Sequence, residues 1–390
     1  MSAPPRLTAG GPHYYTLAPE SAVGGEVYER ELLARLPAHG IDLILGLPRD
    51  HRFTRRPAGA RVQVLRHGLG LHWTRAPLIF APYALGLLLR HRVDLLRGHS
   101  VRHTGPALLL ARALARSRVP VVLHHHHLDP RWARLEAAIA RRADLVVAVS
   151  EHARAALVAA GVDAARVRVA PQGLTAPPDA AAAGGNGAPT AAAAATDNAA
   201  AAAADTAAWP AGGLRLLHLG RLEPRKRPDL ALETLVALVA DGVDAALVVA
   251  GDGPLAPALA DRARAAGVAD RLAFPGRVDD AEKWRLYDGA DVLLFGSTLE
   301  GFGLVVAEAQ SRGLPVVAAA GTATAEAFDP GRSGLLVPPQ AGAFAAAVRE
   351  LADPERRAAM GAHARAFARR FDWDVCAAAV ADVYREAVGR

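Results

Sequence analysis

Cysteine is nearly absent from this 390-residue chain. The single one, Cys376, can neither close an internal disulfide nor build a cysteine-based metal cage, which excludes a disulfide-stapled module and a zinc ribbon. Charged residues reach only 22% against 52% hydrophobic ones, too apolar for a disordered tail and enough for two packed domains. Long apolar runs are missing too. The longest uncharged one, Ala76–Leu89, has 14 residues with Pro77 and Pro82 inside it, short of the roughly 18 to 20 needed to cross a bilayer. The opening residues, Met1–Thr8, show no basic segment followed by an apolar one, so no export signal and a cytoplasmic location are expected. Lysine is absent from residues 1–173, which hold 24 Arg against 12 Asp plus Glu. That half is strongly basic and the remainder net acidic; such a field attracts phosphates, anionic lipid or nucleic acid without choosing among them.

Between Ala176 and Ala211, 20 of 36 residues are Ala, interrupted by Pro177-Pro178 and Gly184-Gly185-Asn186-Gly187. This cannot form a core and reads as a low-complexity linker over 176–212. On either side, short β-rich runs alternate with helical patterns. In the first half they are His13–Pro19, Ile41–Pro48, Arg61–His67, Val93–Ser100, Val119–His127, Ala143–Ser150 and Arg166–Pro171, with a helix over Glu26–His39. In the second they are Leu214–Leu222, Ala245–Gly251, Arg271–Val278, Ala290–Ser297, Leu314–Ala320 and Gly334–Pro338. The pattern predicts an α/β protein of two doubly wound, Rossmann-like parallel-sheet domains, 1–175 and 213–370, facing each other across a cleft. Residues 371–390 read as a last helix, free to cross back to the first domain.

Ligands in such sheets sit beyond the carboxyl ends of the strands, where the chemistry-bearing residues fall. Ser297-Thr-Leu-Glu300-Gly301-Phe302-Gly303-Leu304 leads from a strand into a helix that carries Glu308. Glycines permit close backbone approach there, and a helix N-terminus attracts phosphate oxygens. Glu300 and Glu308 are too far apart for one acid/base pair and suit hydroxyls at opposite ends of an elongated ligand. A blander reading makes Glu300 a helix cap and Glu308 a structural carboxylate. After the first strand of the second half comes Gly220-Arg221 with Lys226, two cations able to meet a diphosphate; otherwise they mark a solvated loop tip. His124–His127 end a strand, but alternating side chains cannot bring all four together, so a metal site is the minority reading. Gly24-Gly25 at the start of the first helix is a weak signal. There is no G-x-x-x-x-G-K-[ST], no G-x-S-x-G, and Gly251-Asp252-Gly253 lacks the third glycine of a dinucleotide fingerprint.

Together these stretches resemble the GT-B retaining glycosyltransferases of family 4, which use nucleotide-sugar donors. The likeness runs through Gly24-Gly25-Glu26, Pro120-Val-Val-Leu ending in His, Ala143–Glu151, Val169-Ala-Pro-Gln-Gly173, Gly220-Arg221 with Lys226, Gly251–Pro254, Glu300–Glu308 and Gly313–Val317. Departures are Gly296 in place of the usual proline and Gln172 in place of Asn. The resemblance implies that Arg221 and Lys226 contact the donor diphosphate. Glu300 and the backbone around Phe302, Gly303 and Leu304 meet the transferred sugar. Glu308 holds the ribose, and Val278 lies near the base. Gly24 and Gly25 let the first domain approach the phosphates, and His126 is the cleft histidine, with His125 and His127 as alternatives of register. The implied partners are a nucleotide sugar such as a UDP- or GDP-sugar, as substrate rather than cofactor, and an unidentified acceptor. Neither a metal nor nucleic acid is expected. The acceptor could be lipid-linked, with Ala76–Leu89 lying on an anionic membrane; a buried helix is the competing reading of that stretch. Rival functions on the same fold are a silent sugar-nucleotide binding protein and a sugar-nucleotide epimerase or hydrolase.

Overall fold

The computed structural model describes residues 5–12, 24–48, 61–65, 77–126, 130–174, 209–210 and 213–390. The chain divides into two compact units, residues 1–173 with 371–390, and residues 174–370.

In the first unit, strands β1 (Leu7–Pro12), β2 (Ile41–Pro48), β3 (Arg61–Leu65), β4 (Leu95–Gly98), β5 (Val121–His125), β6 (Leu145–Ala148) and β7 (Val167–Val169) form a parallel sheet. Their order is β3-β2-β1-β4-β5-β6-β7. The helices of this unit are α1 (Gly24–Arg35), α2 (Ala81–Arg90), α3 (Gly105–Leu114), α4 (Ala133–Ala140) and α5 (Glu151–Ala159). Every residue of β4, β5 and β6 is buried, as expected for strands covered on both faces. Leu96, Leu123, Val146 and Leu157 sit in the core they share with the helices. Ser150 starts α5 by accepting a hydrogen bond from the Ala153 amide.

Two sequence expectations shift here. A strand stands at Leu7–Pro12, where none was expected, and the expected run His13–Pro19 lies outside the described residues. Glycine hides this strand from β propensity, yet β1 needs it: a Cβ on Gly11 would meet the Arg97 carbonyl oxygen at 2.0 Å. The first helix is α only to Arg35. Pro37 then imposes a 3-10 turn over Leu36–His39, closed by Gly40 at φ +80°. Most of the Ala-rich 176–212 stretch and His127 lie outside the described residues. So do Ala76 and Arg75, while Pro77–Phe80 and α2 take up the rest of the apolar stretch.

The second unit repeats the plan. Strands β8 (Leu214–Leu219), β9 (Ala245–Ala250), β10 (Leu272–Gly276), β11 (Val292–Phe295), β12 (Val316–Ala319) and β13 (Gly334–Val337) lie parallel in the order β10-β9-β8-β11-β12-β13. They alternate with α6 (Pro228–Ala240), α7 (Ala256–Ala265), α8 (Asp280–Gly289), α9 (Leu304–Ser311), α10 (Ala341–Glu350) and α11 (Pro354–Ala368). Leu216, Leu235, Leu247, Val317 and Phe344 belong to its core. The chain then returns to the first unit as α12 (Trp373–Gly389). The Trp373 ring fills the space that a Cβ on Gly173 would need, and Arg168 pairs with Glu386 at 2.6 Å.

In both sheets the direction of winding reverses once, between β1 and β4 in the first and between β8 and β11 in the second. At such a point adjacent loops lead to opposite faces and leave a crevice above the strand ends.

The first core also holds an ion pair. Arg97 of β4 and Glu29 of α1 are 1% and 0% exposed and meet through two hydrogen bonds of 2.9 and 2.8 Å. Glu29→Ala leaves the guanidinium buried without its carboxylate, and urea unfolding should show a loss of about 3–5 kcal/mol. Glu29→Leu combined with Arg97→Met should recover most of it; an unchanged midpoint in Glu29→Ala would refute the assignment.

Candidate active site

The second unit's winding reversal is built from the loops that follow β8 and β11. The β8 loop carries Arg221, Arg225 and Lys226, ending in a 3-10 turn over Pro224–Lys226 and in Arg227 at φ +53° before α6. Backbone bonds tie it to its neighbours. The Thr298 amide donates to the Arg225 carbonyl at 2.8 Å, and the Leu222 amide donates to the Asp252 carbonyl at 2.8 Å. A Cβ on Gly251 would lie 1.8 Å from the Gly220 oxygen, so glycine in Gly251-Asp252-Gly253 serves the approach of the β9 and β8 loops.

These ties bring Lys226 and Glu300 together. Their side chains, 16% and 12% exposed, form a direct ion pair across the reversal, with the ammonium 5.7 Å from the centre of the Phe295 ring. Arg221 behaves differently: it is 63% exposed and pairs with Glu223 at 2.8 Å, while Arg225 holds the same carboxylate at 3.2 Å. Glu300 is therefore no helix cap. The residue before α9 is Gly303, at φ +100°, with Phe302 buried beside it. Leu304 opens the helix; the Val306 amide already donates to the Gly303 carbonyl at 2.9 Å, and the Leu304 and Val305 amides ahead of it are the ones suited to an anion.

Glu308, in the second turn of α9, faces α8. Lys283 reaches one carboxylate oxygen at 3.0 Å, and the Tyr287 hydroxyl donates to the other at 2.9 Å. Burial lowers the Lys283 pKa, but Glu308 and Asp280 outweigh it and leave the ammonium above its ordinary value. Burial, then Glu308, drives the Tyr287 hydroxyl well up. Val278 lies half-buried in the loop between β10, the edge strand two places from β8, and α8.

Sequence reading missed Lys283 and Tyr287, although a signal existed. The chain has only two lysines, and each is paired with one of the two motif glutamates.

In the first unit, Gly24 and Gly25 are the first residues of α1. His124 and His125 are the buried end of β5, and His126 is the half-buried residue just past it. His126 Nε2 lies 3.2 Å from the His99 carbonyl oxygen, and its ring meets Tyr28 edge-on at 4.9 Å. His124 is held between two buried tyrosines, by Tyr28 at 3.1 Å and by Tyr384 of α12 at 2.8 Å. Burial, then Arg97, pushes the His124 pKa well below its ordinary value. Sequence reading missed both tyrosines, which lie on helices distant in the chain. Among the described residues no group of three or more His, Cys, Asp or Glu could hold a metal ion.

Residues 204–367 match the glycosyl transferases group 1 family, and residues 23–175 match glycosyltransferase family 4. The chain is 38% identical over 195 residues to D-inositol 3-phosphate glycosyltransferase 2 of Catenulispora acidiphila, covering 47% of this chain and 46% of that protein. It is 39% identical over 197 residues to the D-inositol 3-phosphate glycosyltransferase of Thermobispora bispora, covering 46% of this chain and 45% of that one. The matched stretch thus spans a little under half the length of these relatives. Among solved structures, Anabaena Alr3699/HepE in complex with UDP and glucose is similar with a TM-score of 0.70 at 21% identity, over 97% of this chain and 98% of that one. Sucrose-phosphate synthase of Thermosynechococcus elongatus is similar with a TM-score of 0.73 at 23% identity, over 98% and 99%. The fold is GT-B.

Beneath the β8 loop, burial depresses the His218 pKa to about 4, and Lys226 adds to the effect. Unfolded, the imidazole titrates near 6.5, so the unfolded chain binds the proton first as pH falls. The second unit should lose stability from pH 6.5 down to about 4, by about 3 kcal/mol in all. Urea midpoints across that range should show the loss, and His218→Leu should flatten it; an equally steep dependence in the variant would contradict this.

Proposed function

Since the chain belongs to the glycosyltransferases of GT-B fold, matching family 4 in one half and group 1 in the other, we propose that it transfers a sugar from a nucleotide-diphosphate sugar to an acceptor hydroxyl. The carrying observation is the Lys226–Glu300 pair at the winding reversal of the second sheet, next to the N-terminus of α9. A cation, a carboxylate and unsatisfied amides are thereby set above the same strand ends. That Alr3699/HepE was solved in complex with UDP-glucose supports this donor class.

Breaking the anomeric C–O bond builds negative charge on the departing diphosphate and positive charge on the sugar ring. Lys226, Arg221 and the first amides of α9 neutralise the former. Glu300 accepts from the sugar hydroxyls, with the backbone of Phe302, Gly303 and Leu304 beside it. Arrival of the diphosphate redistributes Lys226 between phosphate and carboxylate and draws Arg221 from Glu223. Glu308, fixed on one side by Lys283 and Tyr287, holds the ribose, and the Val278 loop lies near the base. From the first unit, Gly24-Gly25 admits the phosphates and His126 orients the sugar. The acceptor oxygen attacks from the face the diphosphate leaves, its proton passing to the departing phosphate, so configuration is retained. Fixed cations at the phosphate make a divalent metal dispensable. Inositol 3-phosphate, named for the relatives, belongs first in an acceptor panel.

Purified protein should be stabilised thermally by UDP or GDP, show product formation from the matching nucleotide sugar, and keep its rate in EDTA. Lys226→Ala and Arg221→Ala should each lower kcat/KM by about 10²-fold or more. Unchanged turnover in both variants would overturn the reading.

One further observation favours contact with an anionic membrane at the inner face of the cell envelope. Among the described residues, all the exposed large apolar side chains lie in the first unit, including Leu89 at 68% on α2, Leu114 at 62% just along α3 and Trp132 at 46% before α4. Arg90, Arg92 and Arg134 accompany them, so apolar and cationic groups occur together, as an interface of anionic lipid requires. Among the described residues no helix is long and apolar enough to cross a membrane. Vesicles containing anionic lipid should carry the protein on flotation at low salt and release it at high salt. Absence of binding at low salt would end this proposal.

A further inference from the structure

The role given to His126 rests on the transfer reading above, and the surroundings of that residue extend it to the far end of the chain. Arg97 Nε donates to the Tyr384 hydroxyl oxygen at 2.9 Å. A guanidinium only donates, so this oxygen accepts, and its own proton goes to His124 Nε2 at 2.8 Å. Burial and Arg97 keep His124 neutral. With Nε2 accepting, the ring proton is on Nδ1, which donates to the Tyr28 oxygen at 3.1 Å. The Tyr28 ring then stands at 84° to His126, with centroids 4.9 Å apart. His126 Nε2 faces a carbonyl oxygen, which only accepts, so that nitrogen carries a proton and donates it there.

The whole chain of contacts has one polarity, fixed at its origin by Glu29 and Arg97. We propose that Tyr384, on the carboxyl-terminal helix α12, is a positioning residue for His126, acting through His124 and Tyr28. It touches no substrate. Its hydroxyl sets the tautomer of His124, which sets the Tyr28 hydroxyl, and Tyr28 forms the wall against which the His126 ring is oriented. This gives α12 a function besides covering the sheet, and it explains a tyrosine rather than a phenylalanine at a position that is 0% exposed.

Tyr384→Phe keeps the ring and removes the hydroxyl. Steady-state kinetics should show kcat lowered about tenfold, as expected for one lost hydrogen bond in a chain. KM for the donor should stay within about twofold. In the nitrogen NMR spectrum of the histidine side chains, wild-type His124 should be protonated at Nδ1, and the His126 resonances should shift in the variant. Val380→Ala, at another fully buried position of α12, is the comparison for simple loss of packing: it should lower Tm and leave kcat and the His126 resonances as they are. Three results would each overturn the positioning role: a wild-type kcat in Tyr384→Phe, an equal kcat loss in Val380→Ala, or His124 protonated at Nε2. A wild type that turns over no nucleotide sugar would instead overturn the transfer reading itself, and the role of Tyr384 with it.

Discussion

A parallel strand covered on both faces can keep a charged side chain only at its end or against a counter-charge, and that constraint arranges most of what is polar here. In the second unit β8 keeps one charge, Arg215, against Asp291, and Lys226 and Glu300 meet in the loops after β8 and β11. In the first unit β4 does carry a charge inside, Arg97, and it is accompanied there by Glu29 and Tyr384. One arrangement leaves a charged pair partly accessible, where a ligand can compete for it. The other closes the pair off, where it can only hold other groups in place.

The repeating strand–helix rhythm and the positions of most strands were legible because buried parallel strands leave nearly continuous apolar runs. The loop motifs were legible for a related reason: Gly220-Arg221, Lys226 and Glu300 all lie within a few residues of a strand end. What escaped has physical causes. β1 escaped because close approach to Arg97 requires glycine, which weakens the strand signal. Lys283 and Tyr287 escaped because they sit on a helix that no motif marked, and only packing brings them to Glu308. Tyr28 and Tyr384 are separated by most of the chain, and neither alternation nor spacing could join them.

The four adjacent histidines show the same division in one segment. Strand alternation established that they could not all converge. Where β5 ends, after His125, decides that His126 stands at the rim while His124 is enclosed by two phenols. Identical residue types one or two positions apart thus acquire different surroundings, and the enclosed one, His124, is pushed well below its ordinary pKa by burial and then by Arg97.

The scarcity of lysine has a practical corollary. With 43 of its basic side chains arginine and two lysine, the chain offers amine-directed acylating or carbamylating reagents only Lys226 and Lys283 among its side chains, and both ammonium groups are bound to the glutamates of one loop-and-helix motif. Modification by such reagents reads out the state of that motif, and a ligand that displaces or shields either ammonium would register as a change in labelling rate.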